Sequence, residues 1–417
     1  MKPMGSIPAD FLGSPTLMIA GKSAADWIAH AGTTPVFVYD MGVVARRIAR
    51  LRVAMPEGLG LHYAVKANPF PPLVAEIAKL VDGLDIASAG ELALVQSAAP
   101  GMPTSFAGPG KRDAELAAAI TAGVTINLES EGEGARALAI ADQLSTTPRL
   151  AVRVNPDFEL RGSGMRMGGR ASPFGVDAER VPALVRQLQA AGADWRGFHI
   201  FAGSQALDAD ALIDTQAQTL ALAARLADDV GPPPLVNLGG GFGIPYFPGE
   251  TPLDIEAIGA ALGNALAGRA ASLMDSRFAL ELGRWLVGEA GVYLTRIIDR
   301  KESKGETFLV TDGGLHHQLA ASGNFGTVVR RNYPLTLAHR LGDAAQEVVN
   351  VVGCLCTPLD RLGDQVGLPR AEIGDVIAIF MAGAYGLSAS PAAFLGHPQP
   401  AQLLGGIPGN PNAIFTC

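Results

Sequence analysis

The chain has 417 residues, of which 48% are hydrophobic and 17% are charged. This balance is typical of a globular α/β enzyme and excludes a disordered or fibrous chain. The formal net charge of −8 argues against a nucleic-acid-binding or anionic-membrane surface. Three cysteines are too few for a disulfide framework, and neither a signal peptide nor a membrane span is evident, so we expect a cytoplasmic protein.

Short apolar runs of strand type alternate with Ala- and Leu-rich amphipathic stretches from about residue 36 to about residue 285. The first pair is TPVFVYD and VVARRIARLRVAM, and about eight such units follow one another, with Gly and Pro at the junctions. This alternation predicts an α/β fold in which residues 36–286 form a closed parallel (β/α)8 barrel of the TIM type.

The last third of the chain shows a different pattern. Runs of β type without regular helices between them follow, among them TFLVTDGG, VVNVVGC and DVIAIFMAG. They predict a separate β-barrel or β-sandwich domain over residues 287–417. Residues 1–35 fit neither a barrel strand nor a linker, so we expect this N-terminal segment to complete the β domain.

Lys66 stands in LHYAVKANPF, an apolar strand-like run that the turn-forming pair Asn68-Pro69 follows at once. Burying an unpaired ammonium group costs several kcal/mol, so such a lysine snorkels to the surface, pairs with an acid or takes part in chemistry. For this stretch alone, a snorkelling surface lysine is the simplest interpretation. The remaining polar residues of the barrel decide between these alternatives.

Polar side chains occur where the predicted barrel strands end, at the face that carries the chemistry of TIM-type barrels. Taken singly, Asp85 and Asn127 are explained as helix caps and Asn155-Pro156 as a turn. Together they converge on one mouth of the barrel. The set comprises Lys66, Asp85, Ser88, Asn127, Glu129, Arg153, Asn155, residues 199–205, the glycines of 239–243, Glu281 and Arg284.

The stretch LGGGFGIPY raises the possibility of a nucleotide loop, but its spacing from Gly239 does not fit G-x-G-x-x-G, and Pro245 interrupts the required helix. Consecutive glycines suit a phosphate cradle, because main chain without Cβ lets several N–H groups approach one anion. Ser204 and Arg284 are candidates for further phosphate ligands. A purely structural turn is the alternative.

Pyridoxal phosphate explains these features jointly. This cofactor needs a lysine amine for its Schiff base, a grip on its phosphate, a flat group packed on its ring and a partner for its pyridine nitrogen. Lys66 is the candidate amine, and Glu281 is the candidate acid that keeps the pyridine nitrogen protonated. That protonation makes the ring an electron sink for the carbanion that loss of CO2 leaves behind.

On these residues the chain resembles the fold-type III pyridoxal-phosphate decarboxylases, which include the diaminopimelate, ornithine and arginine decarboxylases. The similarity extends from about Pro35 to Leu404. YAVKAN resembles the Schiff-base lysine motif, LGGGFG the phosphate loop, and ELGR the family's E-P-G-R with Leu282 in place of proline. VVGCLCTPLD resembles the cysteine motif of the β domain, and MAGAYGLSAS resembles the family's A-Y segment.

The resemblance implies that decarboxylation proceeds through a Schiff base and a quinonoid intermediate in a homodimer with shared active sites. Cys356 would enter the neighbouring subunit's site and protonate the quinonoid carbon. No metal ion is predicted. Lys66, Cys356 and His199 are the predicted catalytic residues; the predicted cofactor-binding residues are Lys66, Asp85, His199, Phe201, Ser204, Gly240, Gly241, Glu281, Arg284 and Tyr385, and the predicted substrate residues are Arg284, Thr357, Asp360 and Tyr385.

Three departures from the family pattern concern the ring-stacking position and the substrate. FAGSQ replaces the H-I-G-S-Q of diaminopimelate enzymes, so Phe201, His199 or both stack on the cofactor. Thr357 follows the cysteine where the family has Glu or Asp to hold a distal ammonium group, with Asp360 further on. HHQLAASGNFG, within residues 315–326, replaces the segment that grips a distal carboxylate.

These departures argue against diaminopimelate, lysine or ornithine as the substrate, because an unpaired ammonium in a desolvated pocket costs about 1 to 3 kcal/mol. GFHIFAGSQ and CTPLD are more similar to a subgroup that accompanies exosortase systems or decarboxylates an aminoacyl group on an acyl carrier protein. The substrate is then a free or a carrier-linked amino acid. Alternatives are a diaminopimelate decarboxylase proper, an amino-acid racemase, which Glu281 and Cys356 disfavour, and a non-catalytic cofactor carrier, which lacks a β domain.

Overall fold

Eight parallel strands form a closed barrel in the computed structural model, which describes residues 1–162, 164–166, 168–323 and 331–416. Each strand pairs with the next in chain order, and the eighth pairs with the first. We number them as barrel strands one to eight: Gly60–Ala64, Gly83–Ile86, Thr104–Phe106, Thr125–Leu128, Arg149–Asn155, Asp194–Ile200, Leu235–Asn237 and Arg277–Leu282. The predicted (β/α)8 barrel is confirmed.

In the described part of the chain, eight helices surround the barrel. Several begin at a side chain that accepts a main-chain N–H of the first turn, as Ser88, Ser130, Asp208 and Asp254 do, which satisfies a donor that the helix itself leaves free. In chain order the helices span Met41–Ala54, Pro71–Ile77, Ala89–Ala98, Asp113–Thr121, Glu131–Gln143, Val181–Ala190, Ala209–Val230 and Ile255–Ala267. No helix within the described residues is both long and apolar enough to cross a membrane.

The strand Val36–Asp40, which the alternating pattern places in the barrel, lies instead in the sheet of the β domain. It pairs in antiparallel fashion with Gly291–Ser303 and in parallel with Ala401–Gly405. All five of its residues are buried, and a short run buried on both faces has the same sequence pattern in either setting. The barrel therefore begins with Gly60–Ala64. Of the first predicted strand–helix unit, the helix Met41–Ala54 belongs to the ring of helices around the barrel, whereas the strand does not.

The β domain contains the predicted strands of the C-terminal third and is covered by the N-terminal segment. The Leu17 N–H donates to the carbonyl oxygen of Ala338 at 2.7 Å, and the Leu341 N–H donates to the carbonyl oxygen of Pro15 at 2.8 Å. The N-terminal segment therefore packs against the β domain. Its remaining strands are Gly291–Ser303, Glu306–Thr311, Leu335–Leu337, Glu347–Val352, Arg361–Leu368, Val376–Ile379, Ala401–Gly405 and Phe415–Thr416, and short strands elsewhere are Met18–Ile19, Lys22–Ser23, Met165–Arg166, Val176–Asp177 and Gly203–Ser204.

Candidate active site

Lys66 lies at the mouth of the barrel, in a single 3-10 turn, Val65–Ala67, that directly follows barrel strand one. Its Nζ is 3.8 Å from Oε1 of Glu281. The side chain is 48% exposed, although the turn that carries it follows an apolar strand. Neighbouring atoms partly desolvate the amine, but the Glu281 carboxylate raises the pKa of Lys66 overall.

Glu281 and His199 form a buried pair within the cleft. Glu281 lies on barrel strand eight and His199 on barrel strand six. His199 Nε2 and Glu281 Oε2 are 2.8 Å apart. Burial favours the protonated acid, but the hydrogen bond from His199 and the charge of Lys66 hold the pKa of Glu281 well below its usual range. The carboxylate is therefore ionised at neutral pH, and His199 orients it.

The loop after barrel strand six supplies one wall of the cleft through Phe201 and Ser204. The Phe201 ring lies near the amine, with its centre 5.7 Å from Lys66 Nζ. His199 is held by Glu281 instead, and its buried Nδ1 has no partner among the described residues. Of the two candidates for ring stacking, Phe201 is the one that presents a flat face beside Lys66.

The glycine loop after barrel strand seven packs closely against two neighbouring main chains. Gly239 and Gly241 have φ values of +71° and +86°, in the left-handed region that favours glycine. A Cβ on Gly240 would collide with the carbonyl oxygen of Glu281. Within the part of the chain that the structure describes, the N–H groups of Gly240 and Gly241 have no main-chain acceptor. Close packing explains the glycines, and the free N–H groups suit an anion.

Arg284 provides a positive charge beside the glycine loop. Its Nη1 donates to the Tyr246 hydroxyl at 2.9 Å, and its guanidinium carbon lies 4.6 Å from the centre of the Tyr385 ring. The described residues offer its buried Nε no acceptor. A half-buried guanidinium held by hydroxyl and aromatic groups is suited to bind an anionic group. Sequence analysis missed Tyr246, although its position just after the glycine loop, in GIPY, was a signal.

The β domain reaches the cleft through residues 383–385. The Tyr385 N–H donates to the carbonyl oxygen of Ala67 at 2.7 Å, and Asn68 donates from Nδ2 to the carbonyl oxygen of Gly383 at 3.0 Å. Tyr385 adopts φ +52°, which is uncommon for a residue with a Cβ. These contacts fix the turn that carries Lys66, so both domains build the site.

Asp85 belongs to a buried polar network at the carboxyl end of barrel strand two. Its Oδ1 accepts a hydrogen bond from the Ser105 hydroxyl, which Asn127 also contacts at 3.2 Å. His62 Nδ1 lies 3.4 Å from both carboxylate oxygens of Asp85, and the buried Oδ2 has no hydrogen-bond partner among the described residues. Asp85 and Asn127 therefore do not act as helix caps, whereas Ser88 does.

Arg153 and Glu129 form a second buried ion pair, with Nη1 and Oε1 2.9 Å apart. Glu129 also accepts main-chain N–H groups of Gly108, at 2.6 Å, and Gly175, at 2.7 Å. Both side chains appear in the set of strand-end residues, but sequence analysis assigned them no role. Glu129 holds two loops at the barrel mouth, and the charge of Arg153 acts against protonation of Lys66.

Cys356 and Thr357 lie in the β-domain loop between Glu347–Val352 and Arg361–Leu368. Cys356 is exposed and has a free thiol. Among the described residues, the lining of the Lys66 cleft contains Tyr385 from the β domain but not Cys356 of the same chain. Within its own chain, Cys356 therefore has no contact with the cleft.

Asp360 holds this loop in place. Its Oδ1 accepts the Leu315 N–H at 2.6 Å, and its Oδ2 accepts the Leu355 N–H at 2.8 Å. The carboxyl group is buried, so the predicted contact of Asp360 with a substrate would require this loop to move. Of the segment 315–326, residues 324–326 lie outside the described residues.

Residues 41–288 match the family model described as "Pyridoxal-dependent decarboxylase, pyridoxal binding domain". The chain belongs to this decarboxylase family. It is 36% identical over 381 residues to the L-glutamyl-[BtrI acyl-carrier protein] decarboxylase of Niallia circulans, which covers 89% of this chain and 88% of the relative. It is 31% identical over 402 residues to the diaminopimelate decarboxylase of Methanothermobacter thermautotrophicus, with 93% and 90% covered.

The fold of this decarboxylase is shared with solved enzymes. The diaminopimelate decarboxylase of M. jannaschii in complex with L-lysine superposes with a TM-score of 0.84 at 24% identity, covering 99% of this chain and 94% of that one. The decarboxylase prediction is confirmed over the racemase and the non-catalytic carrier, and the cofactor of the family is pyridoxal phosphate.

The cleft of the decarboxylase fits this cofactor. Lys66 offers an accessible amine, Gly240 and Gly241 offer unpaired N–H groups, and Arg284 offers a guanidinium without an acceptor at Nε. When bound, pyridoxal phosphate supplies the electron sink that takes up the electron pair left by departing CO2. The ionised Glu281 carboxylate is the group that can hold a proton on the pyridine nitrogen.

A cavity of about 910 Å³ lies at the other end of the barrel. Its lining includes Gly60, Thr125, Arg149 and Arg277, which lie at the amino ends of barrel strands. Parallel barrels carry their chemistry at the carboxyl ends of the strands. The chemical groups at the Lys66 cleft, rather than the size of the cavity, therefore locate the active site.

Proposed function

We propose that this decarboxylase acts on an α-amino acid, or an aminoacyl group linked to a carrier protein, whose far end carries no free ammonium group. The observation that carries this proposal is the loop of Cys356. Thr357 is neutral, and both carboxylate oxygens of Asp360 are occupied by main-chain N–H groups. A distal ammonium brought to this loop would lack the charge partner that a desolvated cation needs.

We propose these roles for the residues of the cleft. Lys66 forms the covalent link to the cofactor, Glu281 holds the proton of the pyridine nitrogen, and Phe201 packs on the ring. His199 acts as a positioning residue that orients Glu281 through the 2.8 Å contact. The phosphate would be held by Gly240, Gly241 and Arg284, with Ser204 and Tyr385 beside them.

The names of the relatives support a carrier-linked substrate. The Niallia circulans relative is named for a glutamyl group on an acyl-carrier protein. A further relative, from Staphylococcus aureus, is 28% identical and is named for a substrate that contains an L-alanin-3-ylcarbamoyl group. A glutamyl group has no second amino group, and in the second name a carbamoyl group is attached at position 3 of the alanine, so neither named substrate carries a free ammonium at its far end.

The direct test is CO2 release from a panel of free and carrier-bound amino acids. Glutamate and glutamyl-carrier protein represent the proposed class, and lysine, ornithine and meso-diaminopimelate represent the excluded one. We expect kcat/KM to be highest within the first class. Turnover of ornithine or diaminopimelate at a kcat/KM typical of enzymes on their own substrates, about 10⁴ M⁻¹s⁻¹ or more, would instead identify a diaminopimelate-type decarboxylase.

The change Thr357→Glu is expected to improve the use of substrates with a distal ammonium group. A new charge-assisted hydrogen bond supplies about 1.4 kcal/mol, so kcat/KM for lysine or ornithine should rise about tenfold relative to the native substrate. Steady-state kinetics on both substrate classes measure this ratio.

Thr357→Gln is the matched control, because glutamine has the length of glutamate without its charge. Both variants lose the contact in which Thr357 Oγ1 accepts the Leu359 N–H at 3.3 Å. If both variants changed the kcat/KM ratio of the two substrate classes equally, the negative charge at position 357 would have no role. Selectivity would then depend on the shape of this loop or on the neighbouring segment Leu315–Gly323.

We infer that the active enzyme is a cytoplasmic homodimer in which Cys356 acts in the neighbouring subunit's cleft. In support, Cys356 is exposed and lies outside the lining of the cleft of its own chain. A two-fold symmetric dimer would give each cleft one cysteine from the opposite subunit. The cytoplasm would keep the thiols of Cys354 and Cys356 reduced.

Mixing two inactive variants tests this arrangement. Subunits carrying Lys66→Ala and subunits carrying Cys356→Ala should together regain about a quarter of the wild-type sites, because half of the randomly exchanged dimers contain one intact site of two. The activity is measured after subunit exchange has been followed with differently labelled subunits.

Lys66→Ala mixed with Glu281→Gln is the matched control. Both residues lie in the barrel of one subunit, so every cleft in the mixed dimer keeps one defect and activity should not exceed the sum of the parents. Failure of the Lys66/Cys356 mixture to recover, despite demonstrated exchange, would place Cys356 in its own subunit's site or outside catalysis.

A further inference from the structure

Three side chains from separate segments of the β domain point their ligand atoms at one another. His316, Cys354 and His397 each place one nitrogen or sulfur atom within 4.8 Å of the other two. Cys354 Sγ is 3.9 Å from His397 Nδ1, and the rings of His316 and His397 have their centres 5.1 Å apart. None of the three lines the Lys66 cleft.

His316 is buried without any hydrogen-bond partner. Its exposed fraction is 0%, and among the described residues neither ring nitrogen has a partner. Buried polar atoms are usually satisfied, so two unpaired nitrogens on one ring call for an explanation.

The surrounding contacts hold this cluster together. His317 Nδ1 lies 3.0 Å from the Tyr293 hydroxyl, and its Nε2 lies 3.1 Å from the carbonyl oxygen of Pro398. His317 thereby ties the segment of His316 to the loop that carries His397. The Cys354 thiol donates to the carbonyl oxygen of Asp312 at 3.6 Å, a weak bond that a metal can replace.

We propose that His316, Cys354 and His397 bind one divalent transition-metal ion of the zinc class. Two imidazoles and one thiolate are the donors that Zn²⁺ prefers over oxygen-seeking Mg²⁺ or Ca²⁺. Metal–ligand bonds of about 2.0 to 2.3 Å require ligand atoms about 3.3 to 3.8 Å apart in a tetrahedron. Small rotations of the three side chains bring them to that spacing.

Metal binding at this site would exchange water ligands of the ion for protein ligands. The Cys354 thiol loses its proton to solvent, its sulfur bonds the metal, and the metal gives up three water molecules to the three protein ligands. A fourth coordination position stays open to water, because the structure supplies three ligands among its described residues. Since Cys354 and Cys356 share one loop, the metal would also restrain the position of Cys356.

Cobalt provides a visible probe for this site. After treatment of the holoenzyme with a chelator, we expect one Co²⁺ per chain to bind, with d–d bands in the red, where the cofactor does not absorb, and a thiolate-to-metal band in the near ultraviolet. Zn²⁺ should displace the Co²⁺ and raise the Tm, because an ion that binds only the folded chain stabilises it. Elemental analysis gives the stoichiometry.

Variants of the two cysteines distinguish this site from adventitious binding. Cys354→Ser and His397→Ala should each weaken Co²⁺ binding at least about tenfold, whereas Cys356→Ser and the exposed His30→Ala should leave it unchanged. Circular dichroism and the retained cofactor absorbance show that each variant is folded. Absence of a one-to-one complex, or a thiolate band that survives Cys354→Ser and disappears in Cys356→Ser, would overturn the proposal.

Discussion

Replacing Lys66 by alanine is expected to remove the covalent attachment of pyridoxal phosphate and to lower kcat at least about 1,000-fold. The physical reason is that Lys66 supplies the accessible amine of the cleft, within 3.8 Å of Glu281 and beside Phe201. Reduction with borohydride fixes the cofactor to its lysine, so mass spectrometry of peptides shows which residue carries it. Wild-type protein should carry the reduced cofactor on Lys66.

Lys79→Ala is the matched control for this experiment. Lys79 is an exposed lysine that pairs with Glu76 at 2.6 Å, so its loss should change neither the colour of the protein nor its activity. Lys66→Arg keeps a positive charge but cannot form the link, and it should be as inactive as Lys66→Ala. Recovery of reduced cofactor on another lysine in the Lys66 variants would disprove the assignment.

The barrel and the membership of its site were predictable because topology alone brings strand ends together. In a closed parallel barrel every apolar run ends at the same mouth, so Lys66 and Glu281 could be placed in one cleft despite their distance along the chain. The prediction for the strand Val36–Asp40 was wrong, because a fully buried strand has the same sequence pattern in the barrel and in the β-domain sheet.

The partners of individual side chains could not be predicted from the barrel topology, because they depend on how loops from distant segments pack. Alternation along a strand places His199 and Phe201 on the same face. It therefore could not show that His199 contacts Glu281 instead of stacking on the cofactor ring. The hydrogen bonds from main-chain N–H groups to both Asp360 oxygens could not be predicted either, because they depend on the conformation of the loop. The cluster of His316, Cys354 and His397 joins residues with no regular spacing, so the expectation of no metal site rested on the absence of a motif.

The exposure of Lys66 follows from its position between the barrel and the β domain. The barrel places the amine at its mouth, and among the described residues Tyr385 is the β-domain side chain that lines the cleft. The proposed partner subunit, with Cys356, would cover the amine further.

Replacing Glu281 by glutamine is expected to lower kcat about 100- to 1,000-fold while the cofactor stays attached to Lys66. Glutamine keeps the shape of the side chain but removes the negative charge and replaces one acceptor oxygen by an NH2 donor, and loss of one preorganised electrostatic contact in a buried site has an effect of this size. The charge matters because the pKa of Glu281 is held low, so the carboxylate stays ionised. Absorbance of the bound cofactor and steady-state kcat separate loading from turnover.

Glu281→Asp and His199→Gln divide this effect between charge and position. Aspartate retains the charge, so it should recover part of the lost kcat even though its shorter side chain cannot reach His199 as closely. His199→Gln leaves Glu281 charged but loosens it, and we expect a smaller fall in kcat together with a shift of the cofactor's absorbance with pH. A kcat in Glu281→Gln close to that of the wild type would show that the pyridine nitrogen needs no acid partner here, and the cleft would then have to stabilise the departing charge through Lys66 and Arg284 alone.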